Sequence, residues 1–218
     1  MGKHKSDGFP VQISVIAETK KLTKFLDQAS RKQIPFATSK ALNKTAFDVR
    51  SSLQSAIPFH IDRPTKGFIK AVQVQTSNKR NLVATVGFVG DGFRKTQWKE
   101  SPASIAKKQI DGGSRTPNSK AIAVPVTIKT NQYGNLGRNK INKLLADKKN
   151  FSGVPKGRTK AGIYQRKKNG IKMLVAWKPI THYRGGRLPF SQIATKAVNR
   201  RYKKHFEAEL NNALRTAI

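Results

Sequence analysis

The sequence predicts an α+β fold, an antiparallel sheet with long helices from the N- and C-terminal regions packed on one side, plus a basic loop-rich insertion. Three observations predict it. Apolar residues recur at helical spacing over 36–56 and again over 191–217. Between these segments apolar and polar residues alternate with a period of two, the pattern of half-buried strands. Over 129–160 neither period persists, and Gly, Asn and Lys dominate. The length fits one domain, 1–218, with 129–160 as an insertion within it.

The elements follow in order. Val11, Ile13 and Val15 mark a short strand. Thr19 can cap a helix that places Leu22, Phe25, Leu26 and Ala29 on one face, and Pro35 is expected to interrupt it. A second helix carries Ala37, Ala41, Thr45, Ala46, Val49 and Leu53 along one side, and its small residues permit close approach of a neighbour. Ile57-Pro58-Phe59 ends it. Phe68, Val72, Val74 and Thr76, then Leu82, Ala84, Val86 and Phe88, read as a hairpin turned at 77–81. Asp91-Gly92 opens a loop, and a short helix over 104–110 stops at Gly112-Gly113. The next strand, 121–128, is expected to bury Ile122, Val124, Val126 and Ile128. Pro125 confines it to an edge or a bulge, because proline cannot donate to a ladder.

Within 129–160 only 141–146 is briefly helical. A hairpin then joins 162–166 to 171–177 through Lys167-Lys168-Asn169-Gly170, where Asn-Gly suits the positive φ of a tight turn. A basic, Gly-rich connector over 181–190 leads to the last helix. Its apolar stripe is Ala194, Ala197, Val198, Tyr202, Phe206, Leu210, Ala213, Leu214 and Ala217, and Lys196, Arg200, Arg201, Lys203 and Lys204 cover its other side.

Charge is the strongest functional signal. Forty-four Lys and Arg face eleven Asp and Glu, a formal net charge of +33 spread along the chain. Ordinary domains stay within about ten charges of neutrality, and a compact domain this basic repels itself. A polyanion is the natural partner, nucleic acid first, with an acidic protein or an anionic membrane behind it. There is no cysteine, which excludes disulfides, thiolate metal sites and thiol nucleophiles. No apolar run of signal-peptide length follows the basic start, and no stretch reaches the roughly 20 apolar residues that cross a bilayer. A soluble protein or a part of a particle is expected.

Catalytic constellations are missing. Asp62, Asp91, Glu100, Asp111 and Asp147 are scattered, and Glu207 and Glu209 point in different directions on a helix, so no carboxylate cluster offers to hold a metal. His4, His60, His182 and His205 show no metal-ligand spacing, and a packing or surface role is expected for His205. No phosphate-binding glycine loop or nucleophile elbow occurs. The chain is therefore read as a non-enzyme with no cofactor and no metal, although acids distant in sequence could still converge into a nuclease site.

The basic segments carry the signal instead. Lys and Arg interleaved with Gly and Asn suit contact with phosphates, with condensed counterions displaced. Arg138, Lys140, Lys143, Lys148, Lys149, Lys156, Arg158 and Lys160 are the candidate nucleic-acid-binding residues. Tyr133, Phe151 and Tyr164 lie among them, too sparse for a base-stacking platform. Contact is expected to be insensitive to base sequence. Some of these cations could instead meet acidic surfaces of a protein neighbour.

Three pieces resemble phage minor tail proteins of the Z type and, more loosely, head–tail joining and tail-completion proteins. They are the helix containing Ala41-Leu42-Asn43-Lys44-Thr45-Ala46 and Val49-Arg50, the hairpin from Gly162 to Gly170, and the closing helix that runs from basic to amphipathic. The segment 129–160 is longer than the family pattern, and the family supplies no catalytic residue. The resemblance implies a virion structural protein at the portal–tail junction, made in the host cytoplasm. It would form a ring of several copies beside portal or tail-tube proteins and touch double-stranded DNA through phosphates. The alternative is a cellular RNA- or DNA-binding protein of a ribonucleoprotein assembly.

Overall fold

A computed structural model describes residues 12–16, 28–90, 100–117 and 121–215. The chain divides into two compact units, residues 1–111 with 186–218, and residues 112–185. The fold class is α+β, with antiparallel pairing throughout. Among the described residues the strands form three separate sheets of three, two and four strands, where the sequence suggests a single antiparallel sheet. Thr19, Leu22, Phe25, Leu26 and Asp91 lie outside the described residues, as does Ala217.

The first unit contains β1 (Gln12–Ile16), α1 (Gln28–His60), α2 (Lys66–Lys70), β2 (Val72–Gln75), β3 (Val83–Phe88), α3 (Pro102–Ile110) and α5 (Phe190–Arg215). Its sheet has the order β1-β3-β2, with Val72 opposite Phe88 and Ile13 opposite Val86. The long helices α1 and α5 pack against each other, and α1 also lies on β2 and β3.

Residues 34, 37, 38, 41, 42, 45, 46, 49, 53 and 57 form one stripe on α1, and all are fully buried. The spacing of three and four is that of a helix face turned to a core. It continues through Pro35, which lies inside α1 and does not interrupt it, contrary to expectation. Proline inside a helix costs about 3 kcal/mol. A buried Ile returns roughly 1.5–3 kcal/mol, so the full burial of Ile34, on the N-terminal side of the proline, is of a size to offset it. Tertiary burial thus overrides a local breaker.

Phe88 joins the layers. Its ring lies 5.0 Å from Phe68 of α2 and 5.9 Å from Phe190 of α5. Phe68 belongs to a helical turn capped by Thr65, not to the strand that alternation suggested. Ser101 caps α3 by accepting from the Ser104 amide at 3.0 Å. The returning chain is pinned where the Gly186 and Leu188 amides donate to the Ile110 and Gln109 carbonyls. On α5, Ala194, Ala197 and Ala213 are buried as expected, but Leu214 is exposed.

Asn43, within the early-helix motif, holds the chain just after β2. Its Oδ1 accepts from the Ser77 amide at 2.7 Å, and its Nδ2 donates to the Ser77 carbonyl at 3.1 Å. Ser77 Oγ donates to the Ser39 carbonyl at 3.1 Å. One side-chain amide therefore satisfies both polar groups of a residue that no strand pairs.

The second unit contains β4 (Gly113–Arg115), β5 (Ile122–Pro125), α4 (Lys140–Ala146), β6 (Asn150–Gly153), β7 (Gly162–Lys167), β8 (Gly170–Lys178) and β9 (Thr181–Tyr183). Its main sheet has the order β5-β8-β7-β6, and β4 pairs with β9. The Pro125 strand is an edge strand, as its missing donor requires. It stops at Pro125 and leaves Val126 half exposed. Ala123 and Ile128 pack against the core, so the expected row of Ile122, Val124, Val126 and Ile128 is not the buried one.

The hairpin β7–β8 turns on Lys168-Asn169, with Gly170 at φ +126° supplying the positive φ. A β-bulge follows between Ile163 and Tyr164. Gly162 faces the Val175 carbonyl so closely that a Cβ would collide with that oxygen. The segment 129–160 contains β6 as well as the helix expected near 141–146.

Two outcomes test this packing. Leu53→Ala should lower stability by about 2–5 kcal/mol, whereas Phe59→Ala, at a side chain 87% exposed, should change it by less than about 0.5 kcal/mol. Urea titration followed by helical circular dichroism measures both, since the long helices belong to the first unit. Asn43→Leu should cost about 1–3 kcal/mol through the stranded Ser77 peptide groups. A loss below about 0.5 kcal/mol would show that the amide does not hold this turn.

Candidate nucleic-acid interface

The cations expected to bind phosphate all fall in the second unit. That unit, residues 112–185, holds seventeen Lys and Arg and one carboxylate, Asp147. Asp147 is engaged locally, its Oδ1 accepting from the Lys149 amide at 2.9 Å. Among the described residues, Arg138, Lys140, Lys143, Lys148, Lys149, Lys156, Arg158 and Lys160 form no ion pair with a carboxylate. All are exposed except Lys140, which is half-buried.

The main sheet sorts these cations by face, because successive strand residues point to opposite sides. One face buries Ile163 and Val175 with Leu174, and Ile141 and Leu144 of α4 pack on that cluster with Leu136 and Ile128. Asn150 ties α4 to β6 by donating to the Leu144 carbonyl at 2.8 Å. Arg138, Lys140 and Lys143 therefore stand on the α4 side. Asn139, at φ +60°, makes the turn into the helix and provides no side-chain cap.

The other face carries Tyr164, Met173 and Ile171. Here Arg158, Thr159 and Lys160 line a pocket of about 290 Å³ with those three residues. The Tyr164 hydroxyl donates to the Lys160 carbonyl at 2.6 Å and so fastens the basic loop over the sheet. The structure thus brings Arg158 and Lys160 together, with Lys156 in the same loop, and sets Arg138, Lys140 and Lys143 on the opposite face. Lys148 and Lys149 lie at the entry to β6, the edge strand.

Arg166 is the residue that the sequence reading missed. Its guanidinium lies 4.7 Å from the Phe151 ring centroid, and Nη1 donates to the Lys148 carbonyl at 3.1 Å. Its amide donates to the Lys149 carbonyl at 2.8 Å. Phe151 in turn stacks on Tyr164 at 5.8 Å. A guanidinium held this way keeps further N–H donors for an anion at reduced entropic cost. The pairing of Phe151 with Tyr164 across β6–β7 was the missing signal, and β6 was not legible in the sequence.

The aromatic residues do not form a base-stacking surface. Tyr164 is 2% exposed, and one face of the Phe151 ring is covered by Arg166. Among the described residues no cluster of His, Asp and Glu could hold a metal ion, and no helix is long and apolar enough to cross a membrane. Glu209, which the sequence placed on the last helix without a partner acid, and Asp48, which it did not single out, lie in the first unit on ion pairs between helices. No family model matches this chain, and no curated protein or solved structure matches it either.

Tyr164→Phe removes only the hydroxyl that fastens the basic loop. It should cost about 1 kcal/mol and speed amide hydrogen exchange over 156–161 while leaving α1 and α5 unchanged. Unaltered exchange in that loop would mean that the bond does not order it.

Proposed function

We propose that this protein is a structural component of a phage neck or tail, forming a ring at the portal–tail junction and touching packaged double-stranded DNA without reading its sequence. The observation that carries the DNA contact is the charge of the second unit, seventeen cations against one carboxylate, with the eight candidate cations unpaired among the described residues. The burial of Tyr164 and the Arg166 guanidinium over the Phe151 ring favour phosphate contact over stacking with single strands. The virion assignment rests on the family resemblance of the early helix, the Asn-Gly hairpin and the closing helix. Portal or tail-tube proteins and further copies of the chain are the partners this reading implies, and no catalytic step belongs to it.

The test has two arms. Duplex DNA of unrelated sequences should bind with equal affinity, and six to ten phosphate contacts should lose about 10³–10⁵ in affinity between roughly 50 and 200 mM salt. Reversing Arg138, Lys140, Lys143, Lys156 and Arg158 to Glu should abolish that dependence while the far-ultraviolet spectrum is kept, and should impair genome retention or ejection in particles. Rings of the purified protein in negative stain support the neck assignment. Co-purification with ribosomal RNA in place of rings would replace it with the ribonucleoprotein reading.

A further inference from the structure

A groove on the first unit has a different character from the diffuse cations of the second. It lies between α1 and α5 and encloses about 310 Å³. From α1 come Asp48, Ser51 and Ser52, at i, i+3 and i+4. From α5 come Lys196 and Arg200, one turn apart, and Arg201 beside them. Ile193 and Ala197 form its apolar lining. Both sets of spacings place their side chains on one helix face each, so the groove follows from how the two helices pack.

Its one acid is already engaged. Asp48 Oδ2 lies 2.7 Å from His205 Nε2 and 4.0 Å from the Arg201 Nε. Lys196 and Arg200 have no carboxylate partner among the described residues. Three cations against one carboxylate leave the lining with two net positive charges when His205 is neutral. Two neighbouring serine hydroxyls add donors whose hydrogens can rotate toward an oxyanion. Arginine offers the planar fork that matches phosphate oxygens.

We propose that this groove binds a phosphomonoester group. The doubly charged terminal phosphate matches the lining in charge, whereas a phosphodiester carries one negative charge and a carboxylate presents fewer oxygens. The group can arrive as free inorganic phosphate or as the 5′-terminal phosphate of a nucleic acid. This site is separate from the phosphate contacts of the second unit and does not rest on them.

The experiment uses the full chain at low ionic strength, with amide shifts of Ser51, Ser52, Ile193 and Ala197 as a local readout. Inorganic phosphate should shift these amides in a saturable, one-to-one manner. The double variant Ser51→Ala with Ser52→Ala keeps every charge. It should weaken binding about tenfold, where loose ion pairing alone would leave it unchanged. Arg158→Gln with Lys160→Gln, in the other unit, should leave the shifts intact. A second arm compares short duplexes carrying 5′-phosphate or 5′-hydroxyl ends. A preference for the phosphorylated end that disappears in the serine variant identifies a nucleic-acid terminus as the source, and equal binding of the two duplexes with retained phosphate shifts identifies free phosphate. Absence of saturable shifts, or equal binding by the serine variant, overturns the site.

Discussion

The packing of α1 on α5 is the interaction on which the rest of the first unit depends. Buried alanines on both helices, Ala37, Ala41 and Ala46 on one and Ala194, Ala197 and Ala213 on the other, let the axes come close. That approach fixes where Phe190 enters the core and hence where Phe88 can bridge to Phe68. It also collects carboxylates that are scarce in this chain. Glu209, 4% exposed, pairs with Lys44 and Lys40, and Asp48 meets His205 and Arg201. A buried carboxylate without such partners would be costly. The same contacts offset part of the repulsion among the many cations of both helices.

The second unit has a single carboxylate against seventeen cations. Its core is small, with Ile163, Leu174 and Val175 buried at its centre and α4 closing one side. Its one acid, Asp147, shapes a turn and forms no ion pair among the described residues. Order there comes from local hydrogen bonding, in the Lys168-Asn169 hairpin, the Tyr164 bond to the 160 carbonyl and the Arg166 bonds to β6. A ligand that binds the folded form of such a unit also stabilises it by mass action. For seventeen like charges, a polyanion is the ligand for which that coupling is strongest. Charge excess and fold are thus two aspects of one physical problem, eased in part by the ion pairs of the first unit, while the single carboxylate of the second forms no ion pair among the described residues.

The two sides of the main sheet in the second unit give its cations different settings. On the α4 side they project from a helix that is packed by two aliphatic residues. On the Tyr164 side they belong to a loop and a strand joined by an aromatic pair and a held guanidinium. Both settings leave the candidate cations exposed, Lys140 excepted.

Much of this was already present in the residues. The α1 stripe from Ala37 to Leu53, the hairpin of 72–88, the short α3, the Pro125 edge strand, the Asn-Gly hairpin and the amphipathic α5 follow from periodicity and turn chemistry, which are local properties of the chain. The total charge and the absence of paired carboxylates are also fixed by composition. Where outcomes depended on contacts between distant residues, the tertiary structure decided. Pro35 stays inside a helix because the residues around it are buried. Phe68 turns into a helix because its ring is needed beside Phe88. Arg166 gains a defined orientation from β6, a strand too short and polar to announce itself. Grouping Arg158 with Lys160, and setting Arg138, Lys140 and Lys143 on the opposite face of their sheet, required the strand register. Sequence determines which charges and periods exist, whereas only packing determines which of them meet, because proximity across the chain is a property of the assembled core.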